Sequence, residues 1–96
     1  MTSKERAHFR SLAATMNPIF QVGKASLTPE FTEAIREALE ARELIKLRVL
    51  ETCPLNSRAA ADELAMATKA DVVQVIGSRF ILYRESKDNK TIKLVK

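Results

Sequence analysis

The 96 residues contain two glycines, and each closes an apolar run: Ile19-Phe20-Gln21-Val22 before Gly23, and Val72-Val73-Gln74-Val75-Ile76 before Gly77. A glycine in that place marks the turn at a strand end, because it takes backbone conformations that a side chain resists. Gly77-Ser78 fits a two-residue type II′ hairpin turn with glycine first, and such a turn sets the register of its strands. Ile76 is then expected opposite Arg79, and Val75 opposite Phe80. Carried outward, the pairing puts Val73, Val75, Phe80 and Leu82 on one apolar face, expected to be core. Val72, Gln74, Ile76, Arg79, Ile81 and Tyr83 fall on a mixed face, part exposed and part covered by a helix.

Gly23 opens a different kind of turn. Lys24-Ala25-Ser26-Leu27 leads to Thr28-Pro29-Glu30, which reads as a helix N-cap followed by proline in the first helical position. Free backbone N–H groups and the positive end of the helix dipole attract anions there, and Lys24 adds a mobile positive charge. The segment reads as a phosphate-binding loop. An ordinary strand-to-helix turn has the same sequence signature, so a lone glycine loop does not decide between the two.

The rest of the chain alternates helix and strand. A first helix is expected from Thr2 or Ser3 to about Thr15, with Thr2 and Glu5 at capping-box spacing and Phe9, Leu12, Ala13 and Met16 as its apolar stripe. Arg6 and Arg10 are neighbours on its surface, and Asn17-Pro18 ends it. A second helix over Pro29 to Arg42 buries Phe31, Ala34, Ile35, Ala38 and Leu39, and leaves Glu33, Arg36, Glu37 and Glu40 outside. Leu44 to Leu50 alternates as a strand, with Ile45, Leu47 and Val49 on one side and Lys46 and Arg48 on the other. A third helix begins near Asn56 or Ser57, runs to about Thr68, and offers alanines for close packing. The order α-β-α-β-α-β-β predicts a single compact α/β domain with a mixed four-stranded sheet and three helices. The helices serve as right-handed crossovers between parallel strands, and the last hairpin is antiparallel. Residues from about 85 to 96 read as a basic, partly flexible tail, in which 91–95 has the pattern of a further edge strand.

Charge is patterned along the chain rather than large. The formal total is +4, with a net +3 over residues 1–24, −3 over 30–43 and +4 over 77–96. A basic patch suits a polyanion, although the same charge also suits a merely solvated surface. Cys53 is alone, so no internal disulfide forms and a reducing cytoplasm is the expected setting. His8 is the only histidine and stands far from Cys53, so neither metal-ligand spacing nor a Cys-His nucleophile pair is present. The N-terminus is charged, and no run approaches a membrane span.

Several segments carry a recognisable pattern: Arg6-Ala7-His8-Phe9-Arg10-Ser11-Leu12-Ala13, Pro18-Ile19-Phe20-Gln21-Val22-Gly23-Lys24, Leu27-Thr28, Glu43-Leu44-Ile45-Lys46-Leu47-Arg48, Val73-Gln74-Val75-Ile76-Gly77 and Leu82-Tyr83-Arg84. In order and spacing they together resemble the CRM domain, an RNA-binding module found singly in small bacterial proteins of the YhbY type and in tandem in plant organelle splicing factors. The resemblance implies a small α/β domain over residues 1–96 that binds structured RNA. For the stand-alone bacterial members it implies association with ribosomal RNA in the precursor of the large ribosomal subunit. It implies no catalytic activity and no cofactor. The family's G-x-x-G loop, akin to the backbone-clamping loop of KH domains, maps onto Gly23-Lys24-Ala25-Ser26, and Ser26 stands where the second glycine is expected. A left-handed serine is strained by roughly 1–2 kcal/mol, so either the loop has another shape or the Ser26 hydroxyl takes up the phosphate.

The expected mechanism is a grip on phosphates by Gly23, Lys24, Ala25 and Ser26, with Lys4, Arg10, Lys46, Arg48, Arg79 and Arg84 extending the track. Tyr83 stacks a base or packs under a helix, and Arg84 is placed on RNA, in the neighbourhood of Glu85, or against a helix carboxylate. A monomer is expected, with no small-molecule substrate. The rival from another class is a protein-interaction module that docks a partner through the acidic helix or the mixed sheet face. A small hydrolase or transferase is disfavoured by the lone histidine, the lone cysteine and the lack of an acid-base pair.

Overall fold

The computed structural model describes residues 1–86. Its elements are α1 (Ser3–Ala13), β1 (Phe20–Val22), α2 (Pro29–Arg42), β2 (Leu44–Val49), α3 (Ser57–Thr68), β3 (Asp71–Ile76) and β4 (Arg79–Tyr83). The strands form one mixed sheet in the order β1-β2-β4-β3. Strands β1 and β2 are parallel, with Phe20 beside Leu47, and are joined by α2. Both β2 and β3 run antiparallel to β4, so α3 carries the chain between two parallel strands with β4 inserted between them. The expected order and mixed sheet are what the chain forms. Of the expected tail over about 85–96, Ser86 is buried and its N–H donates to the Glu43 carboxylate at 2.8 Å, and the remainder, with the edge strand expected over 91–95, lies outside the described residues.

Helix starts follow the local chemistry. Thr2 and Glu5 form a reciprocal capping box on α1, with the Glu5 N–H donating to Thr2 Oγ1 at 3.1 Å and the Thr2 N–H to Glu5 Oε1 at 2.9 Å. Those bonds hold the Glu5 carboxyl below its usual pKa. Thr28 caps α2 by accepting from the Phe31 N–H, and Asn56 caps α3 by accepting from the Ala59 N–H.

The sheet separates two cores. On one face Ile35 and Leu39 of α2 and Ala60, Ala61 and Leu64 of α3 close over Val22, Ile45, Leu47, Phe80 and Leu82. On the other, Phe9 and Ala13 of α1 cover Leu44, Val73, Ile81 and Tyr83. Burial of Phe9 and Phe80, both at 0% exposure, contributes about 1.5–3 kcal/mol each. Leu12, expected in the apolar stripe of α1, stays 40% exposed, since the residues α1 buries against the sheet are Phe9 and Ala13.

The hairpin register is as the turn dictates, Ile76 opposite Arg79 and Val75 opposite Phe80. Gly77 takes φ +57 while Ser78 does not take positive φ, the combination a type II′ turn needs. Further out the register shifts: Gln74 faces Ile81 but Val72 faces Leu82, leaving Val73 as the extra residue of a β-bulge. Val73 therefore joins the core under α1, and Val72 packs against the opposite core. This reverses the faces that regular alternation gives those two valines. The bulge is stabilised from α1, where the Arg6 guanidinium donates to the carbonyls of both Val72 and Val73, the latter at 3.1 Å.

Candidate nucleic-acid interface

The C-terminal ends of β1, β2 and β3 gather at one pole of the sheet. There the Leu50 N–H donates to the Val22 carbonyl, and the Val49 N–H to the Ser78 carbonyl of the hairpin turn. The N-termini of α2 and α3 open at the same pole, and Ser57 Oγ donates to the Gly77 carbonyl at 2.8 Å. In open α/β sheets this is the end where ligands meet strand-to-helix loops.

The Gly23–Ser26 segment is a tight turn closed by the Ser26 N–H donating to the Gly23 carbonyl at 2.9 Å. Lys24 and Ala25 stand exposed at its tip, and their N–H groups meet no acceptor among the described residues. Ser26 has φ +59, so the loop keeps the left-handed residue with a serine in place of glycine. Gly23 is the reverse case. Its backbone is not left-handed, and a Cβ there meets only Leu50 Cδ1 at 3.6 Å and Thr52 Oγ1 at 3.9 Å, ordinary contact distances. Within the described chain, neither dihedral strain nor crowding demands a glycine at 23.

Beside this loop, on the face that carries α1, the last register row of the sheet runs Gln21, Arg48, Arg79, Ile76. Helix α1 does not reach it, and all four side chains are exposed. Arg48 and Arg79 are direct cross-strand partners, and neither forms a salt bridge among the described residues. Like charges placed opposite one another destabilise a strand pair, so the row holds concentrated positive potential without internal compensation.

The other expected basic residues are placed differently. Lys46 Nζ donates to the carbonyls of Ala13 and Met16, at 3.1 and 3.2 Å, where it satisfies the C-terminal end of α1. Arg84 bonds the Thr68 and Arg36 carbonyls and pairs with Glu40 at 3.2 Å, tying β4 to α2 and to the C-terminal end of α3. That is the helix-carboxylate alternative of the sequence reading, and both side chains serve the fold at these positions. Arg10 is exposed in the last turn of α1, and Lys4 is exposed in its first turn. Tyr83 packs under α1, stacked on Phe9 with ring centroids 4.1 Å apart, so it is not offered to a base.

Two polar groups have roles that sequence pattern does not carry. The four-residue spacing makes Arg6 and Arg10 surface neighbours, whereas Arg6 anchors the bulge. Glu43 is fully buried at φ +66, where its carboxylate accepts from the Ser86 N–H at 2.8 Å and its carbonyl from the Arg84 N–H. No sequence signal separates it from the solvated glutamates of α2. A cleft of about 260 Å³ at this opposite pole is lined by Glu5, Asp71 and Glu85 as well as Lys69 and Arg84, a mixture that presents no uniform field to a polyanion. Among the described residues no cluster of three metal-ligating side chains occurs, and no helix is long and apolar enough to cross a membrane.

Comparison with known proteins adds a second line. The profile of the CRS1 / YhbY (CRM) domain matches residues 1–84. The chain belongs to the CRM family. Among its relatives, the Bacillus subtilis (strain 168) protein named "Probable RNA-binding protein YqeI" is 44% identical over 94 residues, covering 98% of each chain. A Haemophilus influenzae protein named "RNA-binding protein" is 31% identical over 90 residues, covering 94% of this chain and 91% of that one. The solution structure of a hypothetical Staphylococcus aureus protein, described as a candidate RNA-binding protein, superimposes with a TM-score of 0.81 at 43% identity, covering 99% of both chains. The CRM match ends one residue past β4, so it takes in every strand and helix of the described fold.

Proposed function

We propose that this CRM domain is a non-catalytic RNA-binding protein that engages structured ribosomal RNA during assembly of the large ribosomal subunit, acting as a cytoplasmic monomer. The observation that carries the reading is the Gly23–Ser26 turn, with exposed N–H groups at its tip and a left-handed serine that the fold retains despite the strain. Phosphate oxygens accept from the Lys24 and Ala25 N–H groups, Lys24 supplies charge, and the start of α2 adds its dipole. Pro29 has no N–H and Thr28 Oγ1 satisfies that of Phe31, so the helix contributes mainly through field and through the Glu30 N–H. Arg48 and Arg79 lie next along the track. Contacts of this kind position an RNA without reading its sequence, so selectivity rests on RNA shape. The names of the relatives support RNA as the ligand class. The ribosomal assignment rests on the family resemblance alone.

A protein-interaction module is the second reading, favoured by Ile76, which is 58% exposed on the uncovered sheet face. Sedimentation of a cell extract separates the two. The proposal expects the protein to travel with large-subunit precursors and to be released by ribonuclease. Migration with a protein complex that survives ribonuclease contradicts it.

A further inference from the structure

The uncovered half of the sheet has a composition that a phosphate track alone does not explain. Arg48 and Arg79 face each other directly, with the amide side chain of Gln21 at one end of the row and the alkyl side chain of Ile76 at the other. Gln74, one row inward, lies on the same face by regular alternation from the turn, and the bulge adds Val73 beside it. Strands lie about 4.8 Å apart, so this row of four spans roughly 14 Å. It is open to solvent along its whole length. Helix α1 covers the other half of the face, over Leu44, Val73, Ile81 and Tyr83, with Lys46 reaching the helix's C-terminal end.

We infer that this half-face is a platform for unpaired nucleotides of the same RNA that the Gly23–Ser26 loop holds by its backbone. The inference rests on the RNA-binding reading above and specifies the element recognised: a single-stranded segment rather than a continuous duplex. Charge complementarity selects the occupant, since two uncompensated guanidinium groups in direct opposition call for a polyanion. Continuity selects the path, because β1 runs from Gln21 through Val22 into Gly23, which puts the row and the loop at one edge. The exposed Ile76 and the planar guanidinium groups offer surfaces to the faces of unstacked bases. Gln21 and Gln74 present paired donors and acceptors to base edges. Inside an A-form duplex the bases are stacked and paired, so they reach neither the alkyl nor the amide groups.

The test uses the full chain with three RNA probes: a single-stranded 12-mer, a blunt duplex of the same sequence, and a hairpin that presents it as a loop. Binding of wild type, Ile76→Thr, Arg79→Gln and Lys24→Glu is measured at two salt concentrations. The expected result is tighter binding of the single strand and the hairpin than of the duplex. Ile76→Thr weakens those two about fivefold, in line with a lost apolar contact, and leaves the salt slope unchanged. Arg79→Gln lowers the slope by about 0.7, the value for one phosphate on a single strand. Equal binding of duplex and single strand with no effect of Ile76→Thr, while Lys24→Glu still weakens both, overturns the platform and leaves the loop reading standing. Absence of binding to any probe overturns both. If Ile76→Thr instead converts a dimer to a monomer in sedimentation with RNA affinity unchanged, the face is a self-contact and the inference fails.

Discussion

Replacing Gly23 by alanine separates what the fold requires from what a ligand requires. The added Cβ lies 3.6 Å from Leu50 Cδ1 and 3.9 Å from Thr52 Oγ1, and the backbone at 23 is not left-handed, so the substitution introduces neither overlap nor strain. Restricting the unfolded chain then stabilises the protein by up to about 0.4–1 kcal/mol. For a domain of this size that raises the melting temperature by at most about 8 °C. A phosphate drawn close to the turn meets the new methyl group. If it forfeits one charge-assisted N–H contact, about 1.5–3 kcal/mol is lost, which weakens binding by a factor of ten or more. Gly77→Ala provides the control: nothing lies within 4 Å of its Cβ, but φ is +57, so roughly 1–2 kcal/mol of stability is lost. Thermal melts and fluorescence-anisotropy titrations with a labelled RNA hairpin read both quantities. Wild-type affinity in a folded Gly23→Ala protein refutes the close-approach argument, and a fall in its melting temperature refutes the steric one.

Ser26→Gly removes the left-handed strain at φ +59, worth roughly 1–2 kcal/mol. About 0.5–1 kcal/mol of chain entropy offsets it, and a melting temperature a few degrees higher is expected by calorimetry, with RNA affinity kept. Lys46→Met leaves the Ala13 and Met16 carbonyls at the end of α1 without their donor, and Arg84→Met does the same to the Thr68 carbonyl at the end of α3, so chemical denaturation should show a loss of about 1–3 kcal/mol for each. The RNA affinity of the folded protein stays as in wild type, and a selective loss of affinity returns these residues to the track. Tyr83 has a buried hydroxyl with no hydrogen-bond partner among the described residues, and burial, with Glu43 the foremost charge, pushes its pKa up to about 12. The folded state therefore keeps a proton that the unfolded phenol releases near pH 10, and stability falls as pH rises from about 10 towards 12. Tyr83→Phe preserves the stack on Phe9 and lessens that alkaline loss, which pH-dependent melts detect.

Much of the architecture was legible because short-range chemistry set it. Capping by Thr2 with Glu5, by Thr28 before Pro29 and by Asn56 marked the helix starts, and Gly77-Ser78 set the hairpin register. What alternation does not carry is the bulge at Val73, since an extra residue leaves the local pattern apolar whichever valine faces which core. The candidate site was legible where the backbone makes it, in Gly23 to Ser26, and less so where side chains choose partners. Lys46 and Arg48 read alike on one strand face, yet one reaches the end of α1 while the other projects beyond the helix that covers that face. That difference depends on where α1 crosses the sheet, a long-range property. Arg84 likewise reads as a surface cation until Glu40 of α2 and the last carbonyl of α3 meet it at the end of β4.

The most direct test of the central claim is the salt dependence of binding to a large-subunit ribosomal RNA fragment, measured for wild type and Lys24→Glu with duplex DNA as competitor. Lys24 is exposed at the tip of the turn, so the change leaves the melting temperature in place. The account predicts salt-sensitive binding that prefers RNA, a weaker complex for the variant, and a logarithmic salt slope lower by about one. Identical affinity and slope for the two proteins, or equal competition by DNA, contradicts it.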